Sequence, residues 1–118
     1  MNGLFPGKAA ARALIAAVSI GCIPLLCLLQ PAHAAPTTHT VVIEGMKFVP
    51  ETLTVKPGDT IVWVNKDFFP HTATARDKSF DSRDIATGGK WQYIVKESGT
   101  VPYVCTLHPT MKGTLTVK

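Results

Sequence analysis

Three cysteines in 118 residues are too few for a disulfide scaffold, and none of them forms the Cys-x-x-Cys pair of thioredoxin chemistry. Charge is sparse too. Only 17% of residues are Asp, Glu, Lys or Arg, and the net excess of +4 is scattered along the chain, which points away from nucleic acid as a partner. Beyond residue 34 there is no apolar period of 3.6 residues of useful length and no internal repeat, so neither an amphipathic-helix architecture nor a solenoid is expected. The length leaves no room for a two-layer α/β catalytic domain plus anything else. With 46% hydrophobic residues, a disordered or collagen-like chain is excluded.

Residues 1–34 have the parts of a secretory leader. Lys8 and Arg12 come early, an apolar run extends from Ala13 to Leu29, and Ala32-His33-Ala34 offers small residues at the two positions a signal peptidase reads. An uncleaved anchor is the alternative, but the run is short for a bilayer and contains Pro24. A lipoprotein at Cys22 fits less well, because the apolar run continues past it. Cleavage before Ala35 removes Lys8 and Arg12, lowering the net charge from +4 to +2, and removes Cys22 and Cys27. The exported domain, 35–118, then holds one cysteine, Cys105. In an oxidising compartment that thiol is either an inert core residue or a metal ligand.

From Thr40 onward the chain reads as short strands divided by turns. Thr40–Glu44 is β-branched, Thr52–Lys56 alternates, Thr60–Asn65 is apolar on both faces, and Trp91–Val95, Thr100–Cys105 and Gly113–Lys118 follow. Pro57-Gly58 fits the centre of a type II turn. The polar stretch 77–89 is expected to be a long connection or short edge pieces, and His39 a solvated part of the lead-in. Strands at this spacing predict an antiparallel sandwich or barrel.

The chemistry gathers in Cys105-Thr106-Leu107-His108-Pro109-Thr110-Met111, where a thiol, an imidazole and a thioether stand three residues apart between two strands. His71, just past the central strand, supplies a second imidazole. Two imidazoles, a thiolate and a weak thioether suit copper, and they are the donor set of a blue-copper electron-transfer site. Zinc more often takes two or more cysteines, or histidines with a carboxylate. A Cys105–His108 nucleophile pair has no residue that stands out to orient the base.

Met46-Lys47-Phe48-Val49-Pro50, Leu53 to Thr60, Trp63-Val64-Asn65, Pro70-His71, Phe80-Asp81-Ser82 and Cys105 to Gly113 together resemble the cupredoxins, nearest to the amicyanin and plastocyanin-like group. The resemblance covers about Thr40 to Lys118. It implies an antiparallel Greek-key β-sandwich with one type 1 copper ion held by His71, Cys105, His108 and Met111. It also implies single-electron traffic between periplasmic redox proteins, with a dehydrogenase as donor and a c-type cytochrome as acceptor. His108 would be the electron port, and the protein a monomer that binds no nucleic acid and catalyses nothing alone. Phe68-Phe69-Pro70 is expected to form part of an apolar docking rim.

Three positions depart from that pattern. Thr72 stands where the family often has an asparagine tethering the copper loops. Leu107 stands where a proline is usual, and its restored N–H is expected to turn toward the thiolate. Val101 replaces a frequent aromatic. A second function stays open: copper binding for storage, delivery or resistance without redox duty.

Overall fold

The computed structural model describes residues 15–17, 21 and 29–118; the leader and its anchor and lipoprotein alternatives fall largely outside them. The chain divides into two units, Met1–Ala32 and His33–Lys118, and the eight strands found among the described residues belong to the second. They are β1 (Thr38–Glu44), β2 (Lys47–Val49), β3 (Thr52–Val55), β4 (Thr60–Asn65), β5 (Thr74–Ala75), β6 (Lys90–Ile94), β7 (Gly99–Val104) and β8 (Lys112–Val117). One sheet runs β2-β1-β4-β6 and the other β3-β8-β7-β5.

The expected all-β sandwich is present. Its sheets are mixed rather than wholly antiparallel: β1 lies parallel to β4, and β3 parallel to β8. The reason is that the chain crosses from one sheet to the other at every step from β2 to β7, so the strands that meet in each parallel pair are far apart in sequence and run the same way. Two elements escaped the sequence pattern, β2 and the two-residue β5, both too short to show a period of two.

β4 is the centre of its sheet. Ile61, Trp63 and Asn65 point inward and are fully buried, while Thr60, Val62 and Val64 are half-covered on the other face. Opposite them sit Tyr103 of β7 and Leu115 and Val117 of β8. Each large apolar side chain closed off in this way contributes about 1.5–3 kcal/mol. Tyr103 lies across Gly113, its cross-strand partner. A Cβ built at Gly113 would stand 2.2 Å from Tyr103 Cζ, so only glycine fits beneath that ring.

At the end where β3 turns into β4, Asp59 fastens the start of β1. Its carboxylate accepts the N–H of Thr37 at 2.9 Å and of Lys56 at 3.0 Å, and meets His39 Nε2 at 2.9 Å. These bonds, the Thr37 N–H foremost, hold the Asp59 carboxyl at about 2. His39 is therefore part of a strand and half-buried, not a solvated lead-in residue. Gly58 takes φ 91°, as the third position of the expected type II turn requires, and Asp59 N–H closes that turn on the Lys56 carbonyl at 3.1 Å.

Candidate metal centre

At the opposite end, β4, β5, β7 and β8 deliver their loops to one place. The 105–111 segment folds as two successive tight turns. His108 N–H reaches the Cys105 carbonyl at 3.3 Å and Met111 N–H reaches the His108 carbonyl at 2.9 Å, while Cys105 N–H closes the loop on the Met111 carbonyl at 3.1 Å. The three-residue spacing of thiol, imidazole and thioether thus matches one turn per step. Cys105 is fully buried, Met111 nearly so, and His108 half-buried.

His71 arrives from the other side. It forms a backbone bridge with Ile85, which fixes its position in the 66–73 connection, and its ring is fully buried. Nδ1 of His71 and Nδ1 of His108 each lie 3.7 Å from Cys105 Sγ. The donor atoms of these three residues all fall within 4.8 Å of one another. The cluster therefore brings together three of the four residues singled out in the sequence. The fourth, Met111, is held in the same loop by its backbone bonds to Cys105 and His108.

The supporting polar groups were not foreseen. His71 Nε2 lies 2.8 Å from Asp67 Oδ2. A carboxylate only accepts, so Nε2 carries the proton and Nδ1 presents its lone pair toward Sγ. Asp67 also accepts the N–H groups of Gly45 at 2.7 Å and Met46 at 3.0 Å. Gly45 and Met46 both have φ 59° and make the two-residue turn between β1 and β2, a conformation that aims neighbouring N–H groups at one anion. Burial by itself would raise the Asp67 carboxyl, but the Met46 and Gly45 N–H groups and His71 outweigh it and hold it below the ordinary carboxylate range. Asn65 completes the frame. Its Nδ2 donates to the carbonyls of Phe69 and Ile85, at 2.8 and 2.9 Å, and its Oδ1 accepts Asp67 N–H at 2.9 Å.

Thr72 does more than a weakened substitute for asparagine would. Its N–H points at Cys105 Sγ at 3.3 Å, and its Oγ1 accepts Thr106 N–H at 2.8 Å and lies 3.0 Å from Thr106 Oγ1. The two ligand-bearing loops are therefore joined through hydroxyls. Among the described residues, the backbone N–H that reaches the sulfur is that of Thr72, not of Leu107, whose side chain is half exposed. The expectation for Leu107 fails because the first turn of the loop commits His108 N–H to the Cys105 carbonyl and leaves Leu107 on the outside.

The donor set itself tests what fits here. One buried, unpaired thiol faces the Nδ1 atoms of two imidazoles, with a thioether in the same loop. Soft sulfur with imidazole, and no carboxylate facing the sulfur among the described residues, suits copper better than zinc, calcium or magnesium.

Comparison with known proteins agrees with the site. The family model of a cupredoxin-like domain matches residues 15–117. An amicyanin of Paracoccus versutus is 31% identical over 97 residues, covering 75% of this chain and 74% of the relative. A plastocyanin of Scenedesmus fuscus is 33% identical over 87 residues, covering 63% and 89%. Among solved structures, the Cu(I) form of an amicyanin variant superposes with a TM-score of 0.65 at 30% identity, covering 72% of this chain and 86% of that one.

Proposed function

The chain belongs to the cupredoxin family, and from that premise we propose that it carries single electrons between redox proteins in the periplasm, with one copper ion held by His71, Cys105, His108 and Met111. The observation that carries this reading is the convergence of two imidazole Nδ1 atoms, each at 3.7 Å, on one buried thiol. Copper in this donor set supplies a one-electron couple between Cu(I) and Cu(II).

The protein's own task is to hold the donors still. Asp67 fixes the His71 tautomer, Thr72 N–H and the Cys105–Met111 closure fix the sulfur, and the Thr72–Thr106 hydroxyls lock one loop to the other. Donors held alike in both oxidation states need little rearrangement when an electron passes. Four protein donors leave no position for a substrate, so the reading is a carrier rather than an enzyme. Storage or delivery asks for easy release of the metal, and the burial of His71, Cys105 and Met111 argues against it.

His108 is the least covered member of the cluster, and Phe68, Phe69 and Leu107 stand exposed at the same end of the molecule. They give a partner an apolar contact face next to the imidazole. The donor is taken to be a dehydrogenase and the acceptor a c-type cytochrome, met by a monomer freed from its leader before Ala35. Intact mass of the exported protein tests the cleavage.

For the copper reading, protein loaded with Cu(II) should show intense visible absorption from the thiolate, and Cys105→Ser should lose it. Colour that survives in the serine variant, or a wild type that takes up zinc but never colours with copper, would sink the proposal. Rapid one-electron exchange with a c-type cytochrome in stopped flow then separates a carrier from a copper store.

A further inference from the structure

The core contains a continuous run of aromatic rings that the metal centre does not require. Tyr93, Trp91, Trp63 and Tyr103 succeed one another at centroid separations of 6.2, 5.5 and 5.5 Å, and Trp91 and Tyr93 are stacked at 11°. The inner end is Tyr103 of β7, two residues before Cys105, which follows the end of that strand, and both are buried in the same interior. The outer end is Tyr93, half-buried in a cleft of about 320 Å³ whose lining includes Asp77, Lys96 and Glu97. The run thus joins the neighbourhood of the thiol to a side face remote from His108.

Two further observations concern how an electron vacancy would behave on these rings. Trp63 Nε1 is fully buried and makes no hydrogen bond of ordinary geometry, although its indole acts on the Tyr103 phenol. A neutral phenol is no base, so an oxidised Trp63 has nothing to which it can lose its proton. The vacancy stays mobile on the ring instead of being trapped. Tyr93, by contrast, has carboxylates beside it in the cleft and water at the mouth, so its phenolic proton has somewhere to go and return from.

We propose that Tyr93, Trp91, Trp63 and Tyr103 form a drain that carries an oxidising equivalent from the side face of the sandwich to the reduced metal centre at Cys105. The inference rests on the reading of the protein as a copper electron carrier. A strong one-electron oxidant meeting the cleft takes one electron from Tyr93 or Trp91. The vacancy would pass inward from indole to indole, and copper held in its reduced state by His71, Cys105, His108 and Met111 would supply, past Tyr103, the one electron that fills it. One electron leaves the protein, the oxidant gains one, and no bond is made or broken beyond the transient loss and return of the Tyr93 proton. Indoles and phenols are harder to oxidise than a thiolate-bound metal centre. Ordinary exchange with a partner therefore does not use this route, and traffic along it has one direction.

The test fixes a ruthenium(II) polypyridyl photosensitiser to a histidine introduced by Lys96→His beside Tyr93, and flashes the reduced, copper-loaded protein in the presence of a quencher. The expected result is a short-lived indole radical followed by a fast rise of the visible colour. Trp91→Phe, which keeps a packed ring but removes the oxidisable indole, should lose the fast rise, and Trp91→Tyr should restore it. Peptide mapping by mass spectrometry gives a second readout. Oxidised Trp91 and Tyr93 should accumulate in the metal-free protein and be spared in the reduced, loaded one. A fast rise that survives Trp91→Phe, or equal oxidation with and without reduced metal, would overturn the drain. A protein that never colours with copper would instead remove the electron-carrier reading on which it rests.

Discussion

Replacing Asp67 by alanine separates what the metal ligands do from what holds them. The carboxylate receives three donors, at 2.7, 2.8 and 3.0 Å. Gly45 and Met46 are exposed, so their N–H groups can turn to water once the carboxylate is gone. His71 has no such recourse, because its ring is fully buried. A hydrogen bond to a charged group is worth about 1.5–3 kcal/mol, and an unsatisfied buried donor costs about 1–3 kcal/mol. At about 1.4 kcal/mol per factor of ten, this corresponds to roughly a 10–100-fold loss of copper affinity. Removing the outer partner of a metal-bound histidine typically costs the same. Asp67→Asn keeps the volume and one acceptor oxygen, and should fall between alanine and wild type.

The measurement is competition for Cu(I) and Cu(II) against chelators of known affinity, run beside thermal unfolding of the metal-free variants. Unfolding matters because Asp67 also secures the turn between β1 and β2, and a general loosening would weaken copper binding without any specific effect on His71. The reasoning would be refuted if Asp67→Ala binds copper within about twofold of wild type, well short of the 10–100-fold expected, with its metal-free fold intact. It would also fail if Met46→Gln, which leaves the Asp67–His71 bond alone, lowered affinity as much.

Three other outcomes follow from the geometry. Thr72→Val keeps the N–H on the sulfur but deletes the hydroxyl that receives Thr106 N–H, so the copper-loaded protein should lose about 0.5–1.5 kcal/mol of stability in urea unfolding, with Thr72→Ser losing less. Gly113→Ala forces a methyl group to within 2.2 Å of Tyr103 Cζ, and should cost about 1–3 kcal/mol by the same assay, more than any alanine placed at exposed Gly45 costs through its backbone alone. Asp59 has its carboxyl held at about 2 against 3.8 unfolded, so its stabilising effect is whole above about pH 4 and lost as pH falls toward 2. Acid unfolding followed by circular dichroism should show that loss, and Asp59→Asn should flatten the profile in that window.

The metal ligands were legible because their spacing is local. Cys105, His108 and Met111 fall one turn apart, and a thiol, an imidazole and a thioether in that order suit little besides copper. The long strands were legible for a similar reason, since Thr52–Val55 and Thr60–Asn65 display their faces in their own alternation. What stayed hidden depends on partners far along the chain. Asp67 looks like any turn aspartate until the hairpin at Gly45 and Met46 is folded against it. His39 looks solvated until Asp59 is brought up to it. Which N–H meets the sulfur is decided by the junction of two loops that are 33 residues apart in sequence, so residue types alone placed it wrongly at Leu107. The parallel pairings likewise follow from strand order in space, on which a strand's own residues are silent.

The position of β8 has a consequence for the order of events in the life of the chain. It is the last of the eight strands to be synthesised, yet it lies between β3 and β7 and bonds to both. Until residues 112–117 are available, β3 has no neighbour in its sheet, Tyr103 has no glycine floor, and the loop after Cys105 has no far anchor. The second sheet therefore cannot close as synthesis advances from the amino end, and pairings as distant as that of β3 with β8 are slow to form. A chain threaded amino end first through a membrane pore would stay open until its final strand emerged. The copper pocket would then form only on the far side, beyond the reach of whatever metal the chain had left behind.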